Sequence, residues 1–161
     1  MSTPATPNRR RKSPTASQLG AWRSFIETSE AVKNLIAARM QADSGLSMPD
    51  YSVLLALSES ANGRMRSSHL AEHIGWERSR LSHHLGRMER RGLITREAAT
   101  GDSRGADIVL SDLGAQSFRN ASSPHLHAVA DLYIAGLSDQ QLHAVADAMR
   151  TLQAHLDSPQ N

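Results

Sequence analysis

The 161-residue chain contains no cysteine. That excludes disulfides, thiolate zinc sites and cysteine nucleophiles, and it suits a reducing compartment. Aromatic residues are scarce, with two Trp, two Tyr and two Phe. A core must therefore be built from Leu, Ala, Ile, Val and Met. No apolar run approaches the roughly 20 residues that span a bilayer. The opening "MSTPATPNRRRKSPTAS" lacks the apolar stretch of a secretory signal. The expectation is a cytoplasmic protein with no membrane partner. Missing too are a phosphate-cradling glycine loop, a nucleophile elbow and an acid/base pair set by spacing. No catalysis and no cofactor are expected.

What is present is an uneven distribution of charge. The net charge is +2, but residues 64–104 hold nine Arg against five acids, hence +4. Residues 111–161 hold two Arg against five Asp, hence −3, and residues 13–63 carry three bases and five acids, hence −2. Arg9 to Lys12 add four bases with no acid nearby. Positive charge gathered in one central segment and one tail is the layout of a nucleic-acid binder, but charge alone fits a merely solvated surface equally well, so the pattern needs support from structure.

At this length one domain with a real core is expected. Residues 1–16, rich in Pro, Ser, Thr and Arg, read as a disordered basic tail. From Ser17 to about Gln41, Leu19, Trp22, Phe25, Ile26, Val32, Leu35, Ile36 and Met40 recur at steps of mostly three and four, the pattern of a long amphipathic helix. Gly45 and Pro49 break it, and Ser47 or Pro49 opens a second helix whose buried side is Tyr51, Leu54, Leu55 and Leu57. "ANGR" reads as a turn. "SSHLAEHIG" reads as a short helix capped by Ser67 or Ser68 and closed by Gly75. Another helix runs from about Glu77 to Arg91 and stops at Gly92. "LITREA" and "ADIVL" form a β-hairpin, and Ser111 caps a helix that Pro124 interrupts or restarts. Ser138 caps the last helix, through Leu142, Val145, Met149, Leu152 and Leu156. The result is a mainly α protein with a small β-hairpin wing. A short helix, a glycine turn, a basic helix and a hairpin, in that order, make a winged helix-turn-helix.

The basic helix carries the chemistry. At about 100° per residue, Leu81, Leu85 and Met88 share one narrow stripe, which must face the core. Ser79, His83, Gly86, Arg87 and Arg90 point nearly away from it, with Arg80 and Ser82 on the flanks. Ser, His and Arg donate to phosphates or base edges, and Arg is the usual bidentate partner of guanine. Ser79, Arg80 and His83 near the N-terminus suit base contact, and Arg87 and Arg90 suit the backbone. Arg78 and Arg91 lie nearer the core side and are expected to pair with Glu72 or Glu89. Glu77 suits the helix dipole. At the hairpin tip, Asp102 can brace Arg104 or bond the loop backbone, leaving Arg104 to enter a minor groove.

Taken together, "LSMPDYSVLLALSE", "LAEHIGWERSRLSHHLGRMERRGLI" and "GDSRGADIVLSDLG" resemble the MarR family (multiple antibiotic resistance regulators) over about 46–114. The placement of the flanking helices extends the resemblance to 17–156. Met88 stands where the family pattern has Leu, and Ser111 where it has Thr. The resemblance implies a homodimer in which residues 17–45 and 112–157 form a helical dimerisation region. Residues 46–111 would be the DNA-binding domain, each copy reading half of a pseudo-palindromic operator in double-stranded DNA. It further implies that Arg104 is the minor-groove arginine and Asp102 its brace. Two departures stand out. No second Arg follows Gly105, which implies fewer backbone contacts at the wing. Trp76 follows Gly75 where a small aliphatic is common, a ring read as packing.

Eight histidines raise a metal site, with His69 and His73 at i, i+4 and His83 and His84 one helix later. A structural site needs four ligands, and "HLAEH" lacks the glutamate of a zinc hydrolase motif, so no metal is expected. The family resemblance implies a small aromatic or phenolic effector, and Trp22, Phe25, Tyr51 and Leu55, at the junction of the first two helices, are its candidate pocket. The reading is a ligand-responsive transcriptional repressor. Two alternatives stay open, a non-regulatory helical dimerisation or interaction protein, and a zinc-responsive regulator of the same fold.

Overall fold

The computed structural model describes residues 13–98 and 105–158. The basic stretch Arg9–Lys12 and the hairpin tip with Asp102 and Arg104 lie outside the described residues. The elements are α1 (Ala16–Ser44), α2 (Met48–Glu59), β1 (Arg64–Arg66), α3 (Ser67–His73), α4 (Arg78–Arg90), β2 (Ile94–Ala98), β3 (Ala106–Leu110), α5 (Asp112–Leu132) and α6 (Asp139–Asp157). The chain is mainly helical, with one small antiparallel sheet of order β1-β3-β2.

Local chemistry sets most of these boundaries. Thr15 and Gln18 form a capping box that starts α1, and Gly45, at φ 68°, ends it in the left-handed conformation that glycine adopts without strain. Ser47 and Asp50 form a second capping box at the start of α2. Ser138 and Gln141 form a third at the start of α6.

Three boundaries differ from expectation. The segment around "ANGR" is more than a turn: Arg64–Arg66 pairs with β3 in the register Arg64↔Val109 to Arg66↔Asp107. Because β1 runs directly into α3, Arg66 occupies the N-cap position and neither Ser67 nor Ser68 caps the helix. Pro124 lies inside one continuous α5 rather than interrupting it. A proline removes one rung of the helix ladder. Here α5 packs along α1 and α2, with Ala121 and Ala128 fully buried, and that packing carries the helix through.

The core centres on α2. Val53, Leu54 and Leu57 are fully buried against Leu70 of α3, Leu81, Leu85 and Met88 of α4, and Ile94 and Ile108 of the sheet. Each such side chain contributes about 1.5–3 kcal/mol by leaving water. The junction between α4 and α5 is equally tight. Ser111 Oγ donates to the Gly92 carbonyl at 2.6 Å, and a Cβ on Gly114 would lie 2.0 Å from the Leu93 carbonyl oxygen. Only glycine fits there.

Candidate nucleic-acid interface

The turn between α3 and α4 is closed by two backbone bonds, Gly75 N to Glu72 O at 3.2 Å and Trp76 N to Ala71 O at 2.8 Å. This is the Schellman arrangement, with Gly75 at φ 68°. It fixes the angle at which α4 leaves the body of the protein. Leu81, Leu85 and Met88 are buried on one side of α4. Ser79, Arg80, Ser82, His83, Arg87 and Arg90 are all exposed on the other. The structure therefore brings the six helix residues singled out from sequence onto one solvent-facing surface.

Beside this surface lies a cleft of about 490 Å³ between α3, α4 and the sheet. Arg66, Arg78 and Arg96 line it, together with Ser67, Ser68 and Ser82. Arg96 Nη2 donates to the Ser82 carbonyl at 2.8 Å, and its Nε lies 3.4 Å from Glu89. Arg66 and Arg96 escaped the sequence reading because only the three-stranded sheet carries them to the side of α4. Arg64 is held differently, in contact with the Glu97 and Asp107 carboxylates across the sheet. Those carboxylates push its guanidinium pKa up.

Arg91 is a correction. It pairs with neither Glu72 nor Glu89, and neither does Arg78 among the described residues. Arg91 Nη1 instead donates to Asp50 Oδ2 at 2.7 Å, and its Nη2 to the Gly45 carbonyl at 3.2 Å. Asp50 is buried, with its other oxygen 3.0 Å from His84 Nε2. Burial alone would push the Asp50 carboxyl up. His84, Arg91 and Ser47 outweigh that together and hold it well below the usual carboxylate range.

His84 is thus a buried member of the apolar side of α4. Trp76 meets its ring in a T-shaped arrangement, with centroids 5.5 Å apart and planes at 80°. Trp76 packs as expected and also carries the Arg80 guanidinium 4.3 Å over its ring, a cation–π contact. His69 and His73 are exposed on α3, and no three metal-ligating side chains gather among the described residues.

The four aromatic and apolar residues proposed to line one pocket do not converge. Trp22 and Phe25 stand exposed on α1 with ring centroids 6.3 Å apart. Tyr51 is buried elsewhere, 5.2 Å from Phe118 and 4.7 Å from the His125 ring. Burial pushes the His125 pKa down. An apolar cavity of about 560 Å³ does lie between α1, the end of α5 and α6. Phe25, Val32, Tyr133, Leu137, Val145 and Met149 line it, but not Trp22, Tyr51 or Leu55. No helix among the described residues is long and apolar enough to cross a membrane.

Comparison with known proteins agrees with this architecture. The MarR family profile matches residues 44–105. The structure resembles AbsC, a MarR family transcriptional regulator from Streptomyces coelicolor, at 33% identity and a TM-score of 0.82, covering 90% of this chain and 97% of that one. It also resembles Sco3205, a MarR family transcriptional regulator from the same organism solved in complex with DNA, at 30% identity and a TM-score of 0.86, covering 94% of each chain. The organohalide-sensing regulator RdhR-CbdbA1625, in its 2,4-dichlorophenol-bound form, shares the fold at 16% identity and a TM-score of 0.76, covering 91% of this chain and 88% of that one. No curated protein matches in a sequence search. Two related regulators at 30% identity or more, matched over nearly their whole length, together with the exposed basic helix and its hairpin, decide the assignment: the chain belongs to the MarR family of transcriptional regulators and has their DNA-binding winged helix fold.

Proposed function

We propose that the chain is a ligand-responsive repressor that binds a pseudo-palindromic operator as a homodimer. One observation carries the reading: α4 presents arginine, serine and histidine outward from a buried leucine and methionine stripe, between a rigid turn and a hairpin. In this reading Ser79, Arg80, Ser82 and His83 face base edges, and Arg87 and Arg90 bond phosphates. Arg104, braced by Asp102, reaches the minor groove. Residues 46–111 form the DNA-binding domain.

Residues 17–45 and 112–157 form the dimerisation region. Support comes from the apolar side chains these helices leave exposed: Leu19, Trp22, Phe25 and Ile26 on α1, and Val145, Met149, Leu152 and Leu156 on α6. Large apolar side chains left exposed in such number on two helices suit an interface. The apolar cavity lined by Phe25 and Tyr133 suits a small aromatic effector, as does the dichlorophenol held by a regulator of the same fold. Such a ligand shifts the balance between binding-competent and incompetent spacings of the two α4 helices.

Fluorescence anisotropy on the chain's own upstream DNA, beside random DNA of equal length at two salt concentrations, tests the reading. Specific binding persists at higher salt, while binding to random DNA falls steeply. Arg104→Ala is expected to weaken binding about tenfold and leave the dimer intact. Equal, weak affinity for both duplexes, lost with salt, would leave a basic helical dimer whose target, or whose function, lies elsewhere. Unchanged affinity of Arg104→Ala would remove the wing from the mechanism.

A further inference from the structure

Three helix ends meet at one buried carboxylate. Asp50 belongs to the capping box of α2, where its Oδ2 accepts the Ser47 N–H at 3.0 Å. The same oxygen accepts from Arg91, the C-cap residue of α4, and Arg91 in turn holds the carbonyl of Gly45, which closes α1. The other oxygen, Oδ1, lies 3.0 Å from His84 Nε2 in an off-line contact, closer to charge–dipole attraction than to a directed hydrogen bond.

The far side of the imidazole faces the surface. His84 Nδ1 is 2.9 Å from Arg87 Nη2. A guanidinium has donors only, so Nδ1 must be the bare acceptor nitrogen of the ring. That places the ring proton on Nε2, toward Asp50. The buried carboxylate beside Nε2 favours that tautomer electrostatically, and the tautomer gives Arg87 its anchor. Trp76 packs against the same ring at 80° and supports Arg80 on its face.

We propose that His84, held by Asp50, is a positioning residue of the DNA interface that aims Arg87 at a phosphate. The proposal rests on α4 being the DNA-reading helix. Without the anchor, a long flexible side chain gives up its rotamer entropy only when DNA arrives, and affinity falls accordingly.

Two substitutions separate this role from a packing role. Gln at position 84 keeps a donor near the Nε2 position but offers Arg87 no acceptor at Nδ1. Asn keeps an acceptor near Nδ1 and loses the Asp50 contact. The probe is a duplex enriched from a random pool by the wild-type chain, with binding followed against salt. Arg87→Ala is expected to weaken binding about fivefold and reduce the salt slope by about 1. His84→Gln changes no charge and leaves Arg87 able to reach its phosphate once DNA arrives, so it should weaken binding by up to the same factor with an unchanged salt slope. His84→Asn should stay within about twofold of wild type, and His84→Gln should add nothing in the Arg87→Ala background.

Equal binding by the Asn and Gln variants, or an undiminished His84→Gln effect in the Arg87→Ala background, overturns the proposal. Failure of the wild-type chain to enrich any duplex overturns the DNA reading and this proposal with it. The folded wild-type chain gives an independent check if a variant does not fold. Ring-nitrogen NMR of His84 must find Nε2 protonated and Nδ1 bare, and the opposite tautomer overturns the proposal.

Discussion

Leu54 and Leu152 are both helical leucines, yet Leu54 is fully buried and Leu152 is 42% exposed. The contrast extends to their whole regions. From Leu46 to Ile108 the large apolar side chains interlock around α2, whereas α6 buries no residue at all. The winged half supplies most of its core, with Met40 of α1 and Ala121 of α5 packed into it. The flanking helices bury Ile36 and Met40 of α1 and Ala121 and Ala128 of α5 within one copy, but leave Leu19, Trp22 and Phe25 of α1 and Met149, Leu152 and Leu156 of α6 exposed. The charges divide the same way. The winged half holds a buried carboxylate between a histidine and an arginine, while α1 and α6 carry exposed pairs such as Lys33–Glu30 and Arg150–Asp147. Exposed pairs of that kind are worth little.

The largest effect expected from breaking this contrast is in the core. Leu54→Ala should lower the unfolding free energy by about 2–5 kcal/mol, because it removes buried methylenes and leaves a cavity. If the proposed homodimer is held through α6, Leu152→Asp should convert it to a monomer in sedimentation while leaving the helical circular dichroism of the protomer largely unchanged. A dimer that survives Leu152→Asp would place the interface elsewhere and leave the apolar side of α6 unexplained.

Much of this division is legible in sequence. The three- and four-residue spacing of Leu81, Leu85 and Met88 marks the inner side of α4, and the outer side follows by subtraction. Position 84 falls on the same inner stripe, so a buried histidine was readable there. Its partner was not, because Asp50 precedes it by 34 residues and reaches it only through the fold. β1 was invisible for a similar reason: three residues carry no alternation, and pairing with β3 alone makes them a strand. Pro124 was misread because a local rule yields to packing along α1 and α2. The pocket reading scattered because Trp22, near the start of the first helix, and Tyr51, in the first turn of the second, belong to surfaces with different partners.

Acid provides a second way to separate the two regions. The Asp50 carboxyl is held below its ordinary value in the folded chain, so the folded state binds fewer protons there than the unfolded state. The stabilisation is fully present above the unfolded value of about 4 and is lost as pH falls below it. Asp50→Asn should lower stability at neutral pH by on the order of 2 kcal/mol and flatten the acid limb of the stability curve. Urea unfolding between neutral pH and pH 3 measures both. An acid limb as steep in the variant as in wild type would move the acid sensitivity out of the winged half.

The smallest effect sharpens the contrast most, because it compares one motif in two settings. Ser47 and Ser138 both accept the N–H of the third residue of their helix, at 3.2 Å from Asp50 and 3.3 Å from Gln141. Ser47 is half-buried and its box partner is the buried Asp50, whereas Ser138 and Gln141 are exposed. Removing the hydroxyl from an exposed cap lets water reach the freed N–H, so Ser138→Ala should cost about 0.5 kcal/mol. At Ser47 water has poorer access, and the lost bond also loosens the residue that holds Arg91 and His84. Ser47→Ala should therefore cost nearer 2 kcal/mol, the upper end for such caps. Equal losses in chemical denaturation would mean that the cap of α2 is as well hydrated as that of α6, and that burial at the three-helix junction does not set the difference between the two regions.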